Sequence, residues 1–175
     1  MRNKKSLLRT TNTAIFTAII LLSTMLIKFS TGLGEGYIHF GDCFIYLSAC
    51  ILPFPYCLVA GALGGALADV LGGYAVWAVP TAIIKILIAL PFLFACRKNK
   101  TPKMLNIKVA LMTIISGVIS IIGYFIAECI LYSVPSATLS ILGNTIQAVS
   151  SGILFIIVAG ALDKMNFKSR FFKGV

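Results

Sequence analysis

Hydrophobic residues in this chain are collected into six runs, separated by short segments that contain glycine, proline or polar residues. Most runs approach the roughly 20 residues that a helix needs to cross about 30 Å of hydrocarbon. The second and third are shorter and meet at Pro53-Phe54-Pro55, so a bent or partly re-entrant pair is an alternative to two full spans. The pattern predicts an all-α membrane protein with a single integral membrane domain over 1–175. Its expected bundle has six transmembrane helices, at about 11–29, 40–54, 56–72, 79–96, 109–132 and 140–162.

Composition supports a membrane environment. Hydrophobic residues make up 59% of the chain, charged residues only 11%, and the mean hydropathy is +0.99. A soluble domain of this size carries far more charge on its surface. The protein is therefore expected in the cell membrane as a multi-pass protein.

Basic residues lie in three clusters that account for most of the net charge of +10. Four precede the first span, five lie between the fourth and fifth spans, and four follow the sixth; together they are 13 of the 15 lysines and arginines. Six spans place all three clusters on one side, which the positive-inside rule makes the cytoplasm. Both termini are thus predicted to be cytoplasmic. Outer loops are expected at about 30–39, 73–78 and 133–139, and clusters placed beside apolar spans argue against a nucleic-acid partner.

The sequence carries none of the common catalytic or metal-binding signatures. It has no Walker A loop, HExxH or GxSxG motif, so ATP hydrolysis through a Walker A site and the common hydrolase sites are excluded. Its five cysteines form no CxxC pair and it has one histidine, so we expect neither a zinc site nor any cofactor in this chain. Asp69, Glu128 and His39 could in principle do acid–base work, but no nucleophile is paired with a base. An enzyme is not expected.

Polar residues within the spans and beside them converge on one depth, near the outer ends of the helices. Polar groups in a membrane are costly and usually face a cavity or a partner. Those found at this depth, in five separate segments, are His39, Asp42, Asp69, Tyr74, Trp77, Lys85, Glu128, Asn144 and Gln147. This convergence is the strongest functional signal in the sequence.

Helical spacing orders two of these sets into stripes. Ser140, Asn144, Gln147 and Ser151 follow i, i+4, i+7 and i+11 on the sixth span. The fifth span carries a second stripe, made of Ser120, Tyr124 and Glu128. Facing polar stripes with aromatic residues nearby predict a pocket for a small polar solute that contains a ring. The candidate substrate-binding residues are Glu128, Asn144, Gln147, Tyr124, Tyr74, Trp77, His39 and Asp42.

Structural explanations compete with this interpretation at each position. Asp69 and Lys85 are predicted to form a structural ion pair between the third and fourth spans, because buried charges need partners. Asn144 and Gln147 could instead hold helices together. Tyr74 and Trp77 could belong to an interfacial aromatic belt. His39 and Asp42 could gate the site or only cap a helix.

Several motifs, in this order along the chain, resemble the substrate-binding S component of energy-coupling factor (ECF) transporters. They are His39-Phe40-Gly41-Asp42, the glycine- and alanine-rich segment 60–69, Gly73-Tyr74, segment 77–81, Ile84-Lys85, segment 123–128 and segment 143–147. The likeness extends over about 11–162. Ala14 and Ala18, spaced four residues apart on the first span, resemble the small-residue face by which such proteins dock on the coupling subunit.

The resemblance implies a subunit that captures a water-soluble vitamin or precursor outside the cell. It also implies partners, namely a transmembrane coupling subunit and two ATPases that power import. The pattern at Glu128, Asn144 and Gln147 looks closest to branches for pyridoxine, hydroxymethylpyrimidine or a cobalamin-base precursor. The chain lacks the early histidines of the cobalt and nickel branches. A stand-alone channel or facilitator remains the alternative, and a small membrane enzyme is a more distant one.

Overall fold

The computed structural model of the chain describes residues 2–26, 28–30, 37–97 and 103–168. These residues form six α-helices, a short 3-10 helix and a two-stranded antiparallel hairpin that was not expected. In chain order the elements are α1 (Arg2–Leu26), β1 (Lys28–Ser30), β2 (Tyr37–His39), α2 (Gly41–Ile51), α3 (Tyr56–Leu71), the 3-10 helix (Ala75–Trp77), α4 (Ala78–Arg97), α5 (Ile107–Leu131) and α6 (Val134–Lys164).

Four helical segments are long and apolar enough to cross a membrane. They are Lys4–Leu26, Ala75–Cys96, Ile107–Leu131 and Val134–Lys164. The helices α2 and α3 are apolar but shorter. Each of the six predicted spans therefore corresponds to an α-helix, and the short second and third spans are the short helices.

Helix α2 lies at the centre of the fold. Ten of its 11 residues are buried, and it contacts α1, α3, α4 and α6. A helix that is apolar on all sides packs inside other structure instead of against one neighbour. Because α2 begins directly after β2, its first turn lies where the hairpin meets the helices.

An aromatic cluster joins α2, α4 and α6. Tyr46 stacks on Phe92 with ring centroids 4.3 Å apart, and Phe155 packs edge-on against both rings at 5.9 and 4.9 Å. Such pairs add stability beyond the area that they bury. Along the same three helices, Asp42 lies one turn before Tyr46 in α2, while Lys85 in α4 is about two turns before Phe92. The aromatic cluster therefore lies one to two helical turns away from a layer of polar residues that includes Asp42 and Lys85.

Glycines allow α3 to approach α4 closely. A Cβ added at Gly65 would lie 2.9 Å from the side chain of Lys85, and one at Gly61 would lie 3.6 Å from the Lys85 carbonyl oxygen. The glycines of α3 thus serve packing within the chain, and they leave room for the long lysine side chain to cross.

Two predicted boundaries were wrong, for reasons of local chemistry. Helix α6 begins at Val134, although the sequence suggested an outer loop over 133–139. Ser133 caps the helix by accepting a hydrogen bond from the Ser136 N–H, and Pro135 sits in the first turn, where a missing N–H is tolerated. Helix α1 extends back through the basic segment to Arg2. Residues 31–36 of the first predicted outer loop lie outside the described ranges, as do Lys98, Lys100, Arg170 and Lys173.

Candidate functional site

A single cavity gathers most of the candidate residues. About 610 Å³ of empty space lies among its lining residues, a volume that includes the open space at its mouth. Its lining comes from α1, β2, α3, the 3-10 helix, α4, α5 and α6. The lining residues are Thr24, His39, Gly65, Asp69, Tyr74, Trp77, Thr81, Lys85, Tyr124, Glu128, Ser140, Asn144 and Gln147. Of the eight predicted substrate-binding residues, Asp42 is not part of this lining.

Asp42 is instead buried beside the cavity in an ion pair with Lys85. The Lys85 Nζ atom lies 2.5 Å from Asp42 Oδ1, and the two side chains are only 1% and 0% exposed. Lys85 also lies over the Tyr124 ring, 5.2 Å from its centroid. A buried charge is tolerated when it is paired in this way.

The predicted ion pair between Asp69 and Lys85 is corrected by this geometry. Lys85 was expected to pair with Asp69 because buried charges need partners, but it pairs with Asp42 of α2. Helix α2 lies at the centre of the fold and contacts α4 directly, a relation that linear order does not reveal. Asp69 and Lys85 both line the cavity.

Gln147 of α6 connects three elements through its amide group. Its Nε2 atom donates to Asp42 Oδ2 at 3.1 Å, and its Oε1 atom accepts from the His39 N–H at 3.3 Å. Ser151, one turn further along α6, donates to the His39 carbonyl oxygen at 3.5 Å. Gln147 therefore holds β2 and α2 against α6, as the helix-joining alternative proposed, while it also borders the cavity.

His39 closes the junction between β2 and α2. Its Nδ1 atom accepts a hydrogen bond from the Gly41 N–H at 3.1 Å, so the imidazole caps the first turn of α2. In a neutral imidazole this leaves the hydrogen on Nε2. Burial, followed by the nearby positive charge of Lys85, lowers the pKa of His39 from 6.5 to about 4. The histidine is therefore neutral at physiological pH.

Glu128 of α5 is held by the start of α6. Its Oε1 atom accepts hydrogen bonds from Ser140 Oγ at 2.8 Å and from Ser136 Oγ at 3.0 Å. The side chain is only 3% exposed and borders the cavity. Because both serines bond the same oxygen, Oε2 is the acceptor left for a molecule in the cavity.

Asn144 and the aromatic residues supply the remaining wall. Asn144 lies one turn before Gln147, and within the described ranges its amide makes no hydrogen bond to other side chains or the backbone. Trp77 packs near Tyr124, with ring centroids 6.0 Å apart, and its Nε1–H donates to the Tyr132 hydroxyl at 3.2 Å. Tyr74 lies beside them on the cavity wall. Polar acceptors and flat aromatic groups thus face one space.

Six lining residues were not among the predicted binding residues, and two of them, Asp69 and Lys85, were predicted as an ion pair. Thr24, Gly65, Thr81 and Ser140 all border the cavity. Ser140 was part of the α6 stripe, and Thr13, Thr17 and Thr24 form a comparable stripe on α1 at i, i+4 and i+11. That periodicity could have identified Thr24. Gly65 and Thr81 carry no distinctive signal, because small residues are common in membrane helices.

Ala14 and Ala18 lie about a quarter turn around α1 from these threonines. Both alanines are exposed, whereas Thr13 and Thr24 are buried. The predicted docking residues are therefore accessible to another protein within the membrane. Whether they dock remains a prediction.

Comparison with known proteins decides the family. A family model described as ECF-type riboflavin transporter, S component, matches residues 4–164. The chain belongs to this family. An uncharacterized protein from Pyrococcus woesei, named only by its position in a gap 3′ region, is 29% identical over 143 residues, or 82% of this chain and 90% of that protein.

Membership confirms the resemblance drawn from the sequence motifs. This S component is a substrate-binding transporter subunit and a multi-pass membrane protein. The family is one of transporter subunits, not of enzymes. Its description names riboflavin, which was not among the cargoes that the sequence suggested. Among the residues that the structure describes, no group of three or more histidine, cysteine or acidic side chains could hold a metal ion.

Proposed function

We propose that this S component captures a water-soluble heteroaromatic vitamin, or a precursor of one, at the outer side of the cell membrane for ATP-driven import. In this proposal all six helices cross the membrane, with both termini in the cytoplasm. The basic residues near the start of α1, the α4–α5 connection and the end of α6 support that orientation. The cavity then lies in the outer half of the protein.

The observation that carries the proposal is the composition of the cavity wall. Trp77, Tyr124 and Tyr74 offer aromatic surface, while Glu128 and Asn144 offer polar groups that the protein does not use up. A flat ring with polar substituents satisfies both kinds of wall at once. Riboflavin, pyridoxine and hydroxymethylpyrimidine share this chemistry. The family description supports riboflavin as the first compound to test.

Transport in this proposal depends on partners. A transmembrane coupling subunit and two ATPases supply the energy, because the sequence has no Walker A loop of its own. The exposed alanine face of α1 is the surface proposed for the coupling subunit. Co-purification with an ATPase pair would distinguish this arrangement from a stand-alone channel or facilitator, which would transport without them.

The test is a thermal-shift screen of the purified protein against vitamins and their precursors. A ligand that binds only the native state raises its stability by about 2.7 kcal/mol at a hundredfold excess over its dissociation constant. We expect one heteroaromatic compound to give a large shift. Absence of a shift with every compound would contradict the proposal.

A double variant tests the cavity as the binding site. Glu128→Ala combined with Asn144→Ala removes the two polar groups proposed to contact cargo, and we expect binding to be abolished while the protein stays folded in detergent. Thr145→Ala is the matched control, because the Thr145 hydroxyl bonds only the Ile141 carbonyl within its own helix. Unchanged affinity in the double variant would refute the site assignment.

A further inference from the structure

The carboxylate of Glu128 lacks a positive partner in the part of the chain that the structure describes. Its two contacts, Ser136 and Ser140, are neutral hydroxyls. The side chain is nonetheless 3% exposed. A carboxylate held away from bulk water is costly unless an opposite charge or enough donors compensate it.

The basic side chain in the described lining of the cavity already has an acidic partner. Lys85 is the only lysine or arginine among the lining residues, and its Nζ atom is paired with Asp42. Asp42 in turn uses its second oxygen for Gln147. The positive charge at the base of the cavity is therefore neutralised by a carboxylate that does not border the cavity, and it does not compensate Glu128.

The aromatic wall near Glu128 is also suited to positive charge. Trp77 lies close to Tyr124, and Tyr124 belongs to the same stripe of α5 as Glu128, one turn away. The faces of tryptophan and tyrosine rings attract cations through their quadrupoles, and because Lys85 already lies over Tyr124, Trp77 is the ring left for a cation of the cargo. A carboxylate beside such rings forms a common setting for an ammonium group or a charged ring nitrogen.

Building on the proposed function, we infer that the cargo of this cavity is a positively charged heteroaromatic compound whose amine or ring nitrogen pairs with Glu128 Oε2. Such a cargo supplies the charge that the buried carboxylate lacks, and its ring lies against Trp77 and Tyr124. Phosphorylated forms are excluded, because a phosphate near Glu128 would add like charge in a poorly solvated space. Amine-bearing compounds such as pyridoxamine therefore suit the site better than riboflavin and pyridoxine, which are neutral overall.

Three vitamers built on one ring separate charge from shape. At neutral pH pyridoxamine has a net positive charge, pyridoxine is neutral overall, and pyridoxine 5′-phosphate is anionic. Thiamine adds a permanent cation and riboflavin a neutral ring system. Dissociation constants for all five would be measured by calorimetry on the purified protein, with the thermal-shift screen as a second readout.

The deciding variant is Glu128→Gln, which keeps the size of the side chain and an oxygen that can accept from Ser136 and Ser140. We expect it to weaken binding of the preferred cation by at least roughly tenfold, since an opposite charge is lost from a buried pair. Binding of pyridoxine, the neutral vitamer, should change little in this variant. Ser136→Ala is the matched control, because it removes one hydrogen bond to Glu128 and leaves the charge.

The outcomes separate this inference from the proposed function. Tighter binding of pyridoxamine or thiamine than of the neutral compounds, lost in Glu128→Gln, supports a cationic cargo. Preferred binding of riboflavin or pyridoxine, or equal binding of the phosphate ester, overturns the inference and leaves a vitamin-binding subunit in place. Failure of all five compounds to bind would overturn the inference, and if the wider screen is also negative, the proposed function with it.

Discussion

At the scale of single residues, the site depends on which polar groups are already engaged. Gln147 and Asn144 are three residues apart on α6 and were predicted to play one role. Gln147 uses both ends of its amide on His39 and Asp42, whereas Asn144 has its amide available to the cavity. The polar stripe could be predicted from its periodicity. The different roles of Gln147 and Asn144 could not, because the partners of Gln147 in α2 and β2 are more than 100 positions away in sequence.

The ion pair between Lys85 and Asp42 gives the first prediction at this scale. Lys85→Met leaves the Asp42 carboxylate buried without its cation, which costs about 3–5 kcal/mol. Adding Asp42→Asn removes the stranded charge, so the double variant should recover part of that loss instead of adding to it. Denaturation in detergent of the wild type, both single variants and the double variant measures this coupling. Additive losses would mean that the two side chains act independently.

At the scale of the elements, the hydrophobic runs predicted all six helices and most of their ends. The predicted start of α6 was wrong because a capping residue determines it. Ser133 and Pro135 resemble a loop in the sequence, but Ser133 caps α6 and Pro135 lies in its first turn. The hairpin of β1 and β2 was missed because each strand is only 3 residues long. Strands that short carry too few residues for alternation to be recognised. The central position of α2 was not predicted either, because it is set by contacts with helices that are distant in sequence.

The junction between β2 and α2 predicts a dependence of stability on pH. The unfolded chain binds a proton at His39 near pH 6.5, but the folded protein binds it only near pH 4. The stability that a neutral His39 contributes is therefore fully present above pH 6.5 and is lost as the pH falls toward 4, by at most about 3 kcal/mol. Melting temperatures of the apo-protein between pH 7.5 and 4.5 should fall accordingly.

His39→Asn is the control for that measurement. An asparagine can still accept from the Gly41 N–H but does not titrate, so its melting temperature should fall less steeply over the same interval. Parallel curves for the two proteins would show that another group is responsible for the pH dependence.

At the scale of the whole molecule, α1 has one buried face and one exposed face. Its buried face packs on α3 through a close approach at Gly64, where an added Cβ would lie 2.7 Å from Ile20. The same face carries Thr24 to the cavity. Ala14 and Ala18 lie on a different, exposed face. We therefore propose that cargo binding and docking on the coupling subunit can be separated on this one helix.

This separation predicts that Ala14→Trp or Ala18→Trp blocks transport and spares binding. A large ring on the exposed face should prevent close approach of a partner helix, while the cavity, which α1 borders through Thr24 on a different face, stays intact. Uptake of labelled cargo by cells that also express the coupling subunit and ATPases should fall to background, and recovery of the ATPases with the protein should fall with it. Ile157→Trp, on an exposed position of α6, adds comparable bulk elsewhere and should leave both intact. Loss of cargo binding in the alanine variants would instead assign this face to internal packing.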